Sequence, residues 1–237
     1  MKADISYYSA IGGRKNNEDA VLVRNGRKSA LCIVADGLGG HSGGEIASKK
    51  AVCILNEELG HKRISVKSMQ TAIEHANEAV YQDKQNYSMK STIAVLWMKG
   101  NCAVAATAGD TRIYQFRNDR IIYQSKDHSI AYLEALSGKL NGDSIRRNKT
   151  RNQLTRALGA QDTIQPDILM LDSEPGDAFL ICSDGFWEHV WEEDMAEGLF
   201  ASQTAAEWLD GMRRRVENKV VEHADNHSAV AVLLERI

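Results

Sequence analysis

Ala30-Leu-Cys-Ile-Val-Ala35-Asp36-Gly37-Leu-Gly39-Gly40-His41-Ser-Gly43-Gly44-Glu-Ile-Ala-Ser48 is an apolar run that stops at an acid and passes through glycines into a helical pattern. Leu31 to Ala35 has the length and composition of a buried strand. A strand that delivers a carboxylate into a glycine-rich turn has the shape of a site, because glycine lets the backbone approach a ligand closely. The arrangement recurs at Ala178-Phe-Leu-Ile-Cys-Ser-Asp184-Gly185. Two apolar strands, far apart in the chain, each end in Asp-Gly, so two carboxylates are candidates to share a metal ion.

Working outward, residues 4–10 suggest a strand, and Gly12-Gly13 breaks it before a polar loop holding Arg14, Glu18 and Asp19. Ala20 to Val23 and Ser29 to Ala35 read as a hairpin joined through Asn25-Gly26. Gly44 to Leu59 is a helix with residues 47, 51, 54 and 55 on one face. A second helix starts from an N-cap at Ser65 and runs to Gln85, with Val66, Met69, Ile73, Ala76 and Val80 facing the core. Strands follow at Ser91–Met98, Cys102–Ala108, Thr111–Phe116 and Arg120–Gln124. Residues 125–160 leave this pattern: a short helix carrying Ile130, Leu133, Leu136 and Leu140 precedes a basic stretch, Arg146 to Arg151. Asp167–Leu171 and Asp177–Ser183 are strands around a Pro175-Gly176 turn, helices cover 188–200 and 203–222, and Ser228–Leu234 is a last strand. Hairpin-linked strands with helices in pairs, rather than alternating, predict an α+β fold: antiparallel sheets with helices outside. No repeat or linker interrupts 1–237, so one domain is expected, with a variable excursion at about 125–160.

The totals suit a globular chain: 237 residues, 43% hydrophobic, 26% charged and only 2 Pro, enough to bury a core. A formal charge of −3 gives no reason to expect nucleic acid or an anionic membrane as partner. Cys32, Cys53, Cys102 and Cys182 show no C-x-x-C pairing and read as buried, reduced thiols of a cytoplasmic protein. The first residues contain no apolar signal core, and no run approaches the ~18 apolar residues of a membrane span.

A lone Asp-Gly is usually turn chemistry. Here Asp36-Gly37, Gly109-Asp110 and Asp184-Gly185 sit where apolar strands begin or end, Asp225-Asn226 precedes the last strand, and Glu18 follows Arg14 in a polar loop. Carboxylates without cysteine suit hard cations, Mg²⁺ or Mn²⁺, rather than Zn²⁺. Two such ions, about 3.5–4 Å apart, activate a water and clamp an in-line displacement at phosphorus.

The ordered set Arg14-x-x-Asn17-Glu18-Asp19, Val34-Ala-Asp36-Gly37-Leu38-Gly39-Gly40-His41, Gly109-Asp110-Thr111-Arg112, Leu154-Thr-Arg-Ala-Leu-Gly159, Cys182-Ser-Asp184-Gly185-Phe186-Trp187 and Asp225-Asn226 resembles the metal-dependent protein phosphatases of type 2C, especially the short bacterial members. The resemblance runs from residue 14 to 226. It implies a central antiparallel β-sandwich flanked by helix pairs, a four-layer αββα fold, with 125–160 as a flap beside the active site. It implies hydrolysis of phosphoserine and phosphothreonine in proteins by direct attack of a hydroxide bridging two Mn²⁺ or Mg²⁺ ions. By the same resemblance Asp36 bridges both ions with the Gly37 carbonyl as a further ligand, Glu18 serves one ion, partly through water, and Asp184 and Asp225 serve the other. Asp110 and Asp184 match holders of a third ion, and Arg14 clamps the substrate phosphate, which a planar guanidinium suits physically. The implied partners are phosphorylated proteins and a serine/threonine kinase that makes them, and the implied protein is a monomer.

Some positions depart from the pattern. Leu38 stands where animal members have a histidine proposed as general acid, which leaves His41, three residues on, as an open candidate. Asp19 and Glu188 are further acids whose part is open. His223 and His227 read as bystanders to Asp225, Ser183 lacks the G-x-S-x-G elbow of a nucleophile, and the glycines lack the Gly-Lys-Ser/Thr of a P-loop. Arg213-Arg-Arg215 reads as a solvated helix face, and Arg146 to Arg151 as a candidate surface for acidic or phosphorylated protein. Two other functions remain: a non-catalytic binding module of the same fold, and a metal-dependent hydrolase of small phosphate esters.

Overall fold

The computed structural model describes residues 2–39, 43–83, 89–219 and 224–235, with backbone alone at 142 and 143. In chain order the elements are β1 (Ala3–Ala10), β2 (Asp19–Gly26), β3 (Ser29–Leu38), α1 (Gly43–Gly60), α2 (Val66–Gln82), β4 (Lys90–Ser91), β5 (Ile93–Lys99), β6 (Cys102–Ala108), β7 (Arg112–Arg117) and β8 (Arg120–Gln124). Then come α3 (Ile130–Leu136), a 3-10 turn (Gly142–Arg147), β9 (Asp167–Asp172), β10 (Ala178–Cys182), α4 (Asp184–Trp187), α5 (Glu192–Ala201), α6 (Ala205–Lys219) and β11 (His227–Leu234).

The strands form two antiparallel sheets. One has the order β1-β11-β10-β7-β8; the other has the order β2-β3-β5-β6-β9, with β4 beside β3. Side chains alternate across a strand, so a strand buried on both faces must be apolar throughout. That is why Ala30 to Ala35 is a continuous apolar run. Ala30, Cys32 and Val34 enter the interior between the sheets with Leu96, Ile113, Phe179, Ile181, Val230 and Val232. Leu31, Ile33 and Ala35 face outward against Ala47, Ala51 and Leu55 of α1 and Met69, Ile73 and Val80 of α2. On the other side Leu180, Cys182, Ala229 and Ala231 meet Trp208, Leu209, Met212 and Val216 of α6. The four-layer α+β sandwich expected from the sequence is the observed architecture. Among the described residues no helix is long and apolar enough to cross a membrane.

Several local expectations change. The β2–β3 ladder continues to Gly26↔Ser29, so Arg27-Lys28 makes the turn and Asn25-Gly26 lies within the strand. The strands around Pro175-Gly176 do not pair: β9 joins β6, whereas β10 joins β7 and β11, so this turn crosses between sheets. Ser65 does cap α2, accepting the Ser68 N–H at 3.0 Å, but Val66 is exposed and α2 ends at Gln82. Residues 84–88 and 220–223 lie outside the described residues, and with them the ends expected for α2 and α6. Leu133 and Leu136 of α3 are exposed, as an excursion from the core would leave them. Cys53 and Cys102 are exposed as well, Cys102 because it opens β6 beside the turn; only Cys32 and Cys182 are buried, and all four are free.

Candidate active site

The two strand orders bring the acids to one end of the sandwich. In the first sheet β1 ends there and leads to Arg14, β11 begins there after Asp225, β10 ends there before Asp184, and β7 begins there after Asp110. In the second sheet β2 begins there after Glu18 and β3 ends there through Asp36. The result is an open cavity of about 470 Å³ whose lining includes Arg14, Lys15, Glu18, Asp36, Gly37, Asp110, Asp184 and Asp225, with Asn152 and Leu154 from the 125–160 segment.

Close backbone packing builds this end. A Cβ at Gly37 would lie 2.0 Å from the Gly44 carbonyl oxygen, and one at Gly44 would lie 2.8 Å from Glu18 Cδ. The glycines after Asp36 therefore seat the start of α1 on the acid-bearing loop. The Gly37 N–H donates to the Glu18 carbonyl at 3.1 Å, and Ser48 Oγ of α1 donates to the same oxygen at 2.6 Å. A Cβ at Gly185 would meet the Asn226 carbonyl at 2.1 Å. Asp36 is fixed from behind: its N–H donates to Thr92 Oγ1 at 3.1 Å, and its carbonyl accepts the Thr92 N–H at 2.8 Å.

Burial raises the pKa of the Asp36 carboxyl well above the ordinary 3.8, and neighbouring Asp184 adds to the rise. Asp184 is raised likewise, first by burial and then by Asp110. Asp110 is pushed up to about 7 by burial and by Asp127, and Glu18 is raised by burial and Asp225. Such mutual repulsion is what a multivalent cation relieves. Asp19 lies beneath, opposite Asp36 in the β2–β3 ladder. It is buried, accepts Ser183 Oγ at 2.8 Å through Oδ2, leaves Oδ1 without a hydrogen-bond partner among the described residues, and is pushed to about 6 by burial.

The sequence candidates Arg14, Glu18, Asp36, Gly37, Asp110, Asp184 and Asp225 thus share one cavity. Asp19 and Glu188 are not among its lining residues; Glu188 is tied to Arg151 Nε. His41 lies outside the described residues, as does His223, and His227 is buried against the Tyr8 hydroxyl at 3.0 Å. As they stand, Asp225 Oδ2 accepts Arg14 at 2.7 Å and Asp184 Oδ1 accepts the Gly185 N–H at 2.6 Å. Among the described residues no group of three or more His, Cys, Asp or Glu side chains is arranged to hold an ion. The all-oxygen donor set and the strained acid charge nevertheless fit hard divalent cations in type and number.

Sequence reading passed over Asn226 as a working residue. It is buried, accepts the Glu18 N–H at 2.8 Å, and donates to the carbonyls of Ile11 and Asn16 at 2.8 and 3.0 Å. Its place directly after Asp225 was the available signal. Arg146, expected to face a partner, is buried, donates to the Val190 carbonyl at 3.1 Å and pairs with Glu192.

A family model described as protein phosphatase 2C matches residues 8–226. The chain is 32% identical over 194 residues to the protein phosphatase PhpP of Streptococcus pneumoniae, covering 77% of this chain and 78% of that protein. A solved serine/threonine phosphatase of S. agalactiae superposes with a TM-score of 0.87 at 26% identity, over 98% of this chain and all of that one. The catalytic domain of the phosphatase PstP, solved with two manganese ions, has the same fold, with a TM-score of 0.84 at 24% identity over 98% of this chain and 99% of that one.

Proposed function

The chain belongs to the protein phosphatase 2C family, and we propose that it is a serine/threonine protein phosphatase working with divalent cations held by the acids of its cavity. The observation that carries the reading is the convergence of Arg14 and five carboxylates from both sheets on one open cavity.

In this reading Asp36, Glu18, the Gly37 carbonyl, Asp184 and Asp225 would hold two Mn²⁺ or Mg²⁺ ions, and Asp110 with Asp184 would hold a third, weaker one. Bound ions of this kind supply Lewis acidity toward the phosphoryl group and a water nucleophile at neutral pH. Arg14 binds the substrate phosphate. Its guanidinium already spends one N–H on Asp225, which orients it and leaves other donors for phosphate oxygens. Thr92 and Asn226 hold the backbone of Asp36 and Glu18 in place, so the carboxylates need not reorganise during turnover. The cavity is open to solvent, and Asn152 and Leu154 of the flap line it together with Arg14.

The reading takes 1–237 as one phosphatase domain with a flap at 125–160. It takes the protein as a cytoplasmic monomer acting on the products of a serine/threonine kinase. The supporting relatives are named as phosphatases, and the match covers 82% and 78% of two of them. Purified protein should release phosphate from a phosphothreonine peptide with Mn²⁺ and stop with EDTA. Metal binding without turnover on any phosphopeptide would favour a binding module, and a small ester turned over far better than peptide would favour the small-ester hydrolase.

A further inference from the structure

Asp110 is a buried residue of the cavity lining, and its backbone is gripped. The indole Nε1–H of Trp187 donates to the Asp110 carbonyl at 2.9 Å. The Arg112 guanidinium carbon lies over that indole, 3.5 Å from the ring centroid. Arg112 is itself locked by a two-pronged pair with Asp127, Nε to Oδ1 at 2.8 Å and Nη2 to Oδ2 at 2.7 Å, and by the Tyr114 hydroxyl at 3.0 Å. Arg112, Asp127 and Trp187 are all buried. Asp127 belongs to the start of the flap, and its neighbour His128 exchanges hydrogen bonds with Gly109: its N–H donates to the Gly109 carbonyl at 2.8 Å, and its Nδ1 accepts the Gly109 N–H at 3.1 Å.

A buried ion pair is a weak source of net stability, because desolvation offsets the attraction. Its fixed geometry, however, orients whatever it touches, and a fork-shaped guanidinium is more directional than an ammonium. We propose that Arg112, acting through Trp187, is the positioning residue for Asp110, and that it couples the placement of this acid to the seating of the flap through Asp127. The proposal rests on the phosphatase reading above and adds a role for residues outside the cavity wall.

The strand supplies its own control. Arg117, at the opposite end of β7, makes the same kind of two-pronged pair with Asp177, at 2.8 and 2.9 Å, but lies far from the acids. The experiment compares Arg112→Lys, Trp187→Phe and Arg117→Lys, with Arg112→Lys repeated in an Asp110→Asn background. Readouts are kcat and KM on a phosphothreonine peptide at saturating Mn²⁺, the Mn²⁺ binding isotherm by calorimetry, and Tm.

The expected result is that Arg112→Lys and Trp187→Phe each lower kcat and weaken the weakest Mn²⁺ step about tenfold, with KM within about twofold. In the Asp110→Asn background Arg112→Lys should cost less than about twofold more, because coupled residues are non-additive. Arg117→Lys should lower Tm while leaving kcat within about twofold. The proposal is overturned if Arg112→Lys costs as much in the Asp110→Asn background as alone, or if Arg117→Lys lowers kcat in proportion to its loss of Tm as Arg112→Lys does. If the unsubstituted protein releases no phosphate, the phosphatase reading fails, and the isotherms decide the positioning role: identical Mn²⁺ binding by the unsubstituted protein, Arg112→Lys and Trp187→Phe overturns it. Should Arg112→Lys fail to fold, Trp187→Phe, which keeps the ring and deletes the donor, carries the test.

Discussion

Asn226 accepts the backbone N–H of Glu18 at 2.8 Å, joining residues 208 positions apart. The same side chain donates to the carbonyls of Ile11 and Asn16, so one amide fastens the loop carrying Arg14 and Glu18 to the strand that presents Asp225. Asn226→Ala should remove three hydrogen bonds at a buried position and cost about 2–4 kcal/mol. Urea unfolding checks this, and a loss below about 0.5 kcal/mol would contradict it. Phosphatase activity should fall further than stability, because both Glu18 and Arg14 lose their support.

Glycines at this end differ from glycines elsewhere. Gly37→Ala places a Cβ 2.0 Å from the Gly44 carbonyl oxygen, with backbone on both sides. Neither segment can move without shifting an acid, so the substitution should cost at least about 2 kcal/mol. Gly211, inside α6 with nothing near its missing Cβ, should behave oppositely: Gly211→Ala should stabilise by about 0.5–1 kcal/mol. Paired thermal melts of the two variants read both signs.

Much of this was legible in the sequence. The run Ala30 to Ala35 announced a strand covered on both faces, and the acids at strand ends announced a shared site. What escaped reading has physical causes. Turn residues mark a reversal but not its partner, so the Pro175-Gly176 turn carried no sign that the chain crosses between sheets there. Asn25-Gly26 resembled a turn although the ladder runs through it to Gly26↔Ser29, three residues past Val23. Charge also misled: Arg146 looked like surface, yet it lies buried between Trp191, over which it stacks at 4.7 Å, and Glu192. Side-chain hydrogen bonding across long sequence distances, as at Asn226, leaves no periodic trace.

The acid cluster gives the metal-free protein a definite pH dependence. Burial holds Asp110 at about 7 and Asp19 at about 6, against an ordinary 3.8. Between those values and the ordinary carboxylate range the folded protein keeps protons that the unfolded chain releases. The stability they contribute is complete below the ordinary range and is lost as pH rises through about 6–7, by about 1.4 kcal/mol per pH unit per proton. Melting in EDTA should therefore fall from pH 5 to pH 8, and saturating Mn²⁺ should reduce or reverse the fall. A melt that rises with pH in EDTA would contradict the assignment.

Arg14 is half-exposed and pairs with Asp225. Arg14→Ala should raise KM for a phosphopeptide about tenfold or more, with a smaller effect on Mn²⁺ affinity, because it removes a phosphate donor and not an acid. Steady-state kinetics alongside a Mn²⁺ titration separate the two. An unchanged KM would remove Arg14 from the substrate site.

The central claim is that the carboxylates gathered from both sheets hold the ions that make this chain a phosphatase. Phosphate release from a phosphothreonine peptide, measured with Mn²⁺ for the unsubstituted protein and for a folded Asp184→Asn variant, tests it most directly. The first should turn over the peptide, with EDTA abolishing turnover and Mn²⁺ restoring it, and the second should lose at least about a thousandfold. Turnover that persists in EDTA, or an Asp184→Asn variant as active as its parent, would contradict it.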